Sequence, residues 1–276
     1  MSLCVAWRWQ GKFCLASESC ITIGAEQRMC GVKVVQVPVR VISVVEASTQ
    51  KFDVVFQSVF GLTFAGTFLP AYLIRETASE VLYNLQYLRG KETLYFENIC
   101  EIVFNIYRHI VDTLGNDLDI LFVGTCPASN KSKAALFFRD TADEKLKWKT
   151  ILDKYPFDYL AIGSGENYFH EKLEQNRKSE GRIHFAILQS LQEIAESRPI
   201  PSVGGAVQYG ETDDGGQFHL TGTLDFVKRN GQIEKVESIR GIELNKIHTS
   251  KGFDDLHVNY PFIHPFEKKV KRLLSE

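Results

Sequence analysis

The feature that most constrains this chain is a hairpin pattern that begins at its second residue. Val5, Trp7 and Trp9 fall on one face of a first strand, and Cys4, Ala6 and Arg8 fall on the other. Gln10-Gly11-Lys12 reads as a turn. Phe13 to Ala16 is a short apolar run, the pattern of a strand buried on both faces. Further on, Ile74, Ala78, Val81, Leu82, Leu85 and Leu88 recur at helical spacing, and so do Ile99, Ile102, Val103, Ile106, Ile110 and Leu114. They predict helices over 71–89 and 94–114, with Gly90 and Gly115 as stop signals. Each helix is apolar along one stripe only, so each should lie on a sheet. Strands of this kind with helices of this kind imply two stacked sheets between helix layers.

The remaining elements follow from local pattern. Lys33 to Ser43 alternates and is rich in Val, a strand in which Pro38 marks an edge or a bulge. Glu46 to Asp53 is polar and reads as a loop, and Val54 to Thr67 is apolar. Leu118 to Thr125 and Lys133 to Arg139 read as strands around the loop Pro127 to Ser132. Helices are expected over Glu166–Lys178 and Ile183–Ser197, the second with Ile183, Ile187, Leu191, Ile194 and Ala195 inward. Strands over Phe218–Val227 and Gln232–Glu237 precede a basic C-terminal segment. Its Lys268, Lys269, Lys271 and Arg272 read as a solvated helix face.

Composition narrows the function classes. A chain of 276 residues allows one large domain or two small ones. Its 44% hydrophobic and 24% charged residues are those of an ordinary soluble protein. A net charge of −2 gives no reason to expect a nucleic-acid partner. No segment reaches the roughly 18 uninterrupted apolar residues of a membrane span. Arg8, Gln10 and Lys12 interrupt any apolar signal region. The six Cys lack C-x-x-C pairs and read as reduced, buried thiols, so a cytoplasmic protein is expected. The seven His are dispersed, and neither a metal nor a cofactor is expected. Gly204-Gly205 and Gly215-Gly216 lack nucleotide-binding context and read as turns.

The start of the chain also carries chemistry. Removing Met1 would leave a free α-amine on Ser2, the same residue that bears a hydroxyl, which is a minimal nucleophile-and-base pair. This opening resembles a proteasome-type β subunit, an N-terminal-nucleophile (Ntn) hydrolase. In that family a hydroxyl residue opens the first strand, an acid follows in a D-S-R-x-T context, and a lysine opens the third strand. Here Ser2 takes the first position and Lys33, in Val32-Lys33-Val34, takes the last. Glu18-Ser19-Cys20-Ile21-Thr22 takes the second, with Glu for Asp and Cys for Arg. The Ser2-Leu3-Cys4-Val5 opening is nearest to the bacterial Anbu type. Phe60-Gly-Leu-Thr-Phe-Ala-Gly66 resembles the family's G-T-x-A-G strand, after a longer link from Lys33 that requires an extended hairpin. Tyr159-Leu-Ala-Ile-Gly-Ser-Gly165 resembles its A-x-G-S-G segment, and Ser202-Val-Gly-Gly-Ala-Val207 its S-G-G-x-V segment. The sequence departs from the family before that glycine pair. Ile200 stands near the place of an aspartate that helps position the amine, and Val203 at the place of the family's serine.

The resemblance covers residues 2 to 210 and implies an α+β fold, a four-layer αββα sandwich of two stacked, mainly antiparallel sheets. Residues 1–212 would form the core, and 213–276 a C-terminal extension on the same domain. It implies Ser2 as nucleophile, Glu18 and Lys33 as its acid and lysine, Gly66 N–H as oxyanion donor and Ser164 as a supporting hydroxyl. Phe64 and Thr22 would line the substrate site. Each residue also has a plainer reading: Ser2 an ordinary N-terminus, Glu18–Lys33 a structural ion pair, Gly66 a packing glycine, Phe64 a core residue. The implied activity is cleavage of peptide or related amide bonds in a peptide or protein substrate. The implied assembly is a homo-oligomeric ring or lock-washer. A non-catalytic, proteasome-like assembly protein and a small-molecule amidase are the alternatives.

Overall fold

In the computed structural model, residues 2–23, 26–46, 51–87, 93–115, 117–154, 158–180, 182–229, 231–247 and 260–263 are described. The chain opens on β1 (Cys4–Trp9) and β2 (Lys12–Ser17), joined through Gln10 and Gly11, which both have positive φ (49° and 82°). Such a turn matches the twist of the flanking strands and leaves Trp9 opposite Lys12. A short ribbon, β3 (Ile21–Ile23) and β4 (Glu26–Arg28), follows. Next come β5 (Val35–Glu46), β6 (Lys51–Gly66), α1 (Phe68–Tyr83), β7 (Leu85–Gln86) and α2 (Phe96–Leu114). The chain continues through β8 (Leu118–Thr125), β9 (Ser132–Arg139), β10 (Leu146–Ile151), β11 (Tyr159–Ile162), α3 (Glu166–Glu180) and α4 (Ile183–Ser197). It closes with β12 (Gln208–Thr212), β13 (Phe218–Arg229), β14 (Gln232–Ile239), β15 (Ile242–Glu243), α5 (Leu244–Ile247) and β16 (Phe262–Ile263).

These strands form two large sheets. One runs β11-β1-β2-β12-β13-β14-β15, with β16 beside β13; the other runs β10-β9-β8-β6-β5-β7. Almost all their pairings are antiparallel. The pleat sorts their side chains into three apolar layers. Val5 and Trp7 point to α3 and α4, where they meet Phe169, Ile187 and Leu191. Cys4, Ala6, Phe13 and Leu15 point the other way and meet Leu121, Val123, Ala134 and Leu136 of the facing sheet. The outer face of that second sheet, with Phe60, Leu62, Phe122 and Phe137, is covered by α1 and α2. The result is the expected αββα sandwich. Each large side chain so buried contributes roughly 1.5–3 kcal/mol. No helix among the described residues is long and apolar enough to cross a membrane.

Several local readings need correction. Of the segment read as a loop, residue 46 and residues 51–53 are strand, and 47–50 lie outside the described residues. β5 and β6 run on as a long two-stranded arm in which Glu46 faces Lys51 and Ser43 faces Asp53, so backbone pairing overrides the polar composition. Pro38 is tolerated because β5 has only a two-residue parallel contact with β7 on its other side, at Val41 and Ile42. The first helix starts earlier and ends at Tyr83, capped by Asn84, and Leu85 leaves it to pair with Val41. In α2 the buried stripe is Ile99, Cys100, Val103, Tyr107 and Val111, while Ile102, Ile106 and Ile110 are only partly buried and Leu114 is exposed. The stripe swings by about one residue because Tyr107 reaches inward to donate its hydroxyl to Leu118 O at 2.7 Å. Cys30 is exposed, unlike the other five cysteines, and all six are free thiols. Met1, Leu88, Gly90 and the Lys268–Arg272 cluster lie outside the described residues.

Candidate active site

Ser2, Glu18 and Lys33 come together at one end of the sandwich, and all three are buried. β1 and β2 set the first two. Their register pairs Cys4 with Ser17, which brings Leu3, just before β1, beside Glu18, just after β2, with Ser2 one residue further on. Lys33 arrives from the segment leading into β5. Its ammonium donates to Ser2 Oγ at 2.8 Å and to Glu18 Oε1 at 2.5 Å. The Glu18 carboxylate also accepts the backbone N–H of Cys20 at 2.5 Å, Leu3 at 3.2 Å and Gly204 at 3.4 Å. Burial pushes this carboxyl above its ordinary value, and the Lys33 ammonium and those N–H donors pull against it.

Ser2 is held from its carbonyl side as well. Gly165 N–H donates to Ser2 O at 3.3 Å. Gly163, between β11 and α3, has φ +96°, and a Cβ there would lie 2.2 Å from Ser2 O. Only glycine allows both the conformation and the approach. Ser17 Oγ donates to Leu3 O at 3.0 Å, and Cys4 Sγ donates to Phe64 O at 2.8 Å, tying β1 to β6 across the two sheets. Burial pushes the Cys4 thiol up, so it is no rival nucleophile.

These groups open onto a cleft of about 590 Å3 lined by Ser2, Lys33, Thr22, Phe64, Gly66 and Ser164. All the residues singled out in the sequence except the fully buried Glu18 therefore border one cavity, and Glu18 touches it through Lys33. Gly66 has φ +130°, and a Cβ there would meet Asp117 O at 2.4 Å. Phe64 serves both its readings, being buried under α1 and present on the cleft wall. Ser164 is exposed on the wall, with its Oγ 3.5 Å from Ser202 Oγ. Ile200 is partly buried against the α3–α4 layer.

Other residues of the site had no signal in the sequence, as Gln208 and Asp119, or stood there only as part of a motif, as Ser19 and Cys20. Gln208 of β12 accepts the N–H of Lys33 and Val34 through Oε1, at 2.9 and 3.1 Å, and donates to Gly31 O at 2.6 Å. It clamps the segment that carries Lys33. Ser19 Oγ donates to Met29 O and accepts from Ala206 N, each at 2.8 Å, and so joins the β3–β4 ribbon to the glycine pair. Cys20 and Asp119 also line the cleft. Burial and the neighbouring Asp117 push the Asp119 carboxyl up to about 6.

No protein-family model and no curated protein matches this chain. Solved structures do. A mutant of Anbu from Hyphomicrobium sp. strain MC1 superposes with a TM-score of 0.56 at 14% identity, over 86% of this chain and 89% of that one. Another Anbu structure from the same organism gives 0.55 at 14% identity, over 86% and 88%. Anbu (ancestral beta-subunit) from Yersinia bercovieri gives 0.52 at 14% identity, over 76% and 81%. At these identities the likeness is one of fold, and the chain has the proteasome-like Ntn-hydrolase fold of Anbu.

Proposed function

We propose that this chain, with the fold of Anbu, is an Ntn hydrolase that cleaves amide bonds with Ser2 after Met1 has been removed. One observation carries the reading: a buried lysine ammonium sits between Ser2 Oγ and a buried carboxylate, at the wall of an open cleft. In the proposed reaction the Ser2 α-amine, titrating near about 7.7–8.0 in an unperturbed chain, takes the hydroxyl proton. Oγ attacks the substrate carbonyl carbon, and the oxygen becomes an oxyanion stabilised by Gly66 N–H. Collapse breaks the C–N bond as the leaving nitrogen takes the proton from the α-amine. Water then hydrolyses the Ser2 ester. The Lys33 charge favours the neutral amine and the developing alkoxide, and Glu18 fixes Lys33 in place.

The absence of a carboxylate at Ile200 favours slow turnover. Peptides or proteins are the proposed substrates, a homo-oligomeric ring or lock-washer in the cytoplasm the proposed setting, and 213–276 a C-terminal extension of the 1–212 core. The test uses an amide-site electrophile. Fully processed protein should add a β-lactone or peptide vinyl sulfone once, at residue 2. Ser2→Ala and Lys33→Ala should each lose the adduct by at least about 100-fold. If processed protein with an intact Ser2 takes up no electrophile between pH 6 and 9, the non-catalytic assembly reading replaces this one.

A further inference from the structure

Beside the cleft lies a second cavity of about 320 Å3, which shares Ile21, Phe64 and Phe68 with it. Its walls are mostly apolar, yet two arginines reach it from distant parts of the chain, Arg75 from α1 and Arg240 from the turn between β14 and β15. The Nε of each guanidinium is buried without a hydrogen-bond partner. Arg75 has one carboxylate, donating through Nη1 to Glu76 Oε1. Arg240 has neither a hydrogen bond nor an ion pair among the described residues. Burial holds its guanidinium below the usual arginine value, with Tyr260 opposing the shift and the like charge of Arg75 adding to it.

The placement of Arg240 is built in. It has φ +53°, and Gly241 beside it has φ +82°, in a two-residue turn that leaves Ile239 opposite Ile242. A Cβ on Gly241 would lie 2.5 Å from Ala206 Cβ, so the turn rests against Ala206, whose N–H is bonded to Ser19 Oγ beside Glu18. Both side chains are half-buried, and Arg75 shares its charge with Glu76, but a buried Nε donor without an acceptor is costly, and the Arg240 charge has no carboxylate beside it among the described residues. An anion between them would relieve both costs, and a guanidinium fork suits a carboxylate.

We infer that this cavity receives a substrate carboxylate on a short apolar stem, making acidic side chains the preferred neighbours of the amide bond attacked. The inference rests on the Ntn reading for the reaction, but the cavity can be tested apart from it. Calorimetry with N-acetyl-glutamate amide and N-acetyl-glutamine amide should show the acid binding at least tenfold more tightly. That ratio should fall to within twofold in Arg240→Met, and also in Arg75→Gln should Arg240→Met fail to fold. The thermal midpoint of Arg240→Met should be no lower than wild type, because an uncompensated charge is removed. Equal affinities, no measurable binding of either compound, or a ratio that survives both substitutions would overturn the cavity assignment whatever Ser2 does. In parallel, a Glu-bearing vinyl sulfone should label Ser2 at least tenfold faster than its Gln counterpart. Tight Glu binding with no labelling by either probe would refute the hydrolase reading and leave the carboxylate cavity standing.

Discussion

Asp119 and His184, neither of them in the proposed chemistry, set opposing limits on stability. His184 on α4 accepts the Trp7 indole N–H at 3.2 Å and stacks on Trp9, and burial lowers its value to about 4. The folded state therefore keeps it neutral while the unfolded chain, near 6.5, takes a proton, so stability falls as pH drops from about 6.5 towards 4. Asp119 works in the other direction. Raised to about 6, it favours the protonated folded state, and its ionisation costs stability as pH rises from about 4 through 6. In urea titrations His184→Gln should flatten the acid limb by about 1–3 kcal/mol, and Asp119→Asn should stabilise by about 1–2 kcal/mol at pH 8 and much less near pH 4. A wild-type midpoint that does not move between pH 4 and 8, with neither variant changing it, would contradict both assignments. Ser2, Glu18 and Lys33 stood out in the sequence because the motifs around them resemble those of a known family. Gln208, Asp119 and Arg240 gave no such signal, since a polar residue becomes part of a site only through what folding places beside it.

Among the elements, the β11–α3 junction holds Ser2 most directly. Its Gly163 takes φ +96° directly over Ser2 O, and Gly165 donates to that oxygen. Gly163→Ala should cost at least about 2 kcal/mol in urea unfolding, through strain and displacement of Ser2. The surviving folded fraction should also label more slowly at Ser2. Wild-type stability and labelling would show that the junction yields without effect. The segment was legible because Tyr159–Gly165 resembles the family's A-x-G-S-G segment, in which a strand runs into a helix. The end of α1 and the stripe of α2 were misread. Leu85 pairs with β5 and Tyr107 reaches Leu118 O, contacts that 3.6-residue periodicity does not encode.

For the whole molecule, α1 carries an exposed apolar set on the face away from its sheet: Leu69, Tyr72 and Leu73, at 56, 50 and 38% exposure. An exposed apolar set of this kind supports association between copies. Light scattering at micromolar concentration should give a mass well above one 31.4 kDa chain, and Leu69→Glu with Leu73→Glu should lower it. A clean monomer would count against compartmentalised proteolysis and favour the small-molecule amidase.

The alternation of β1, the striped helices and the glycine-marked turns determined the αββα layering by themselves, because each depends on residues a few positions apart. Ser2, Glu18 and Lys33 were picked out by their resemblance to the nucleophile, acid and lysine positions of a family, not by periodicity or composition. Only the tertiary structure decided that Lys33 bridges Ser2 and Glu18, that Gln208 clamps the lysine's segment, and that Arg240 lies beside Arg75 next to the cleft. Those contacts join residues far apart in the chain. Their geometry is set by how two sheets stack, a property of the packed core that no window of sequence contains.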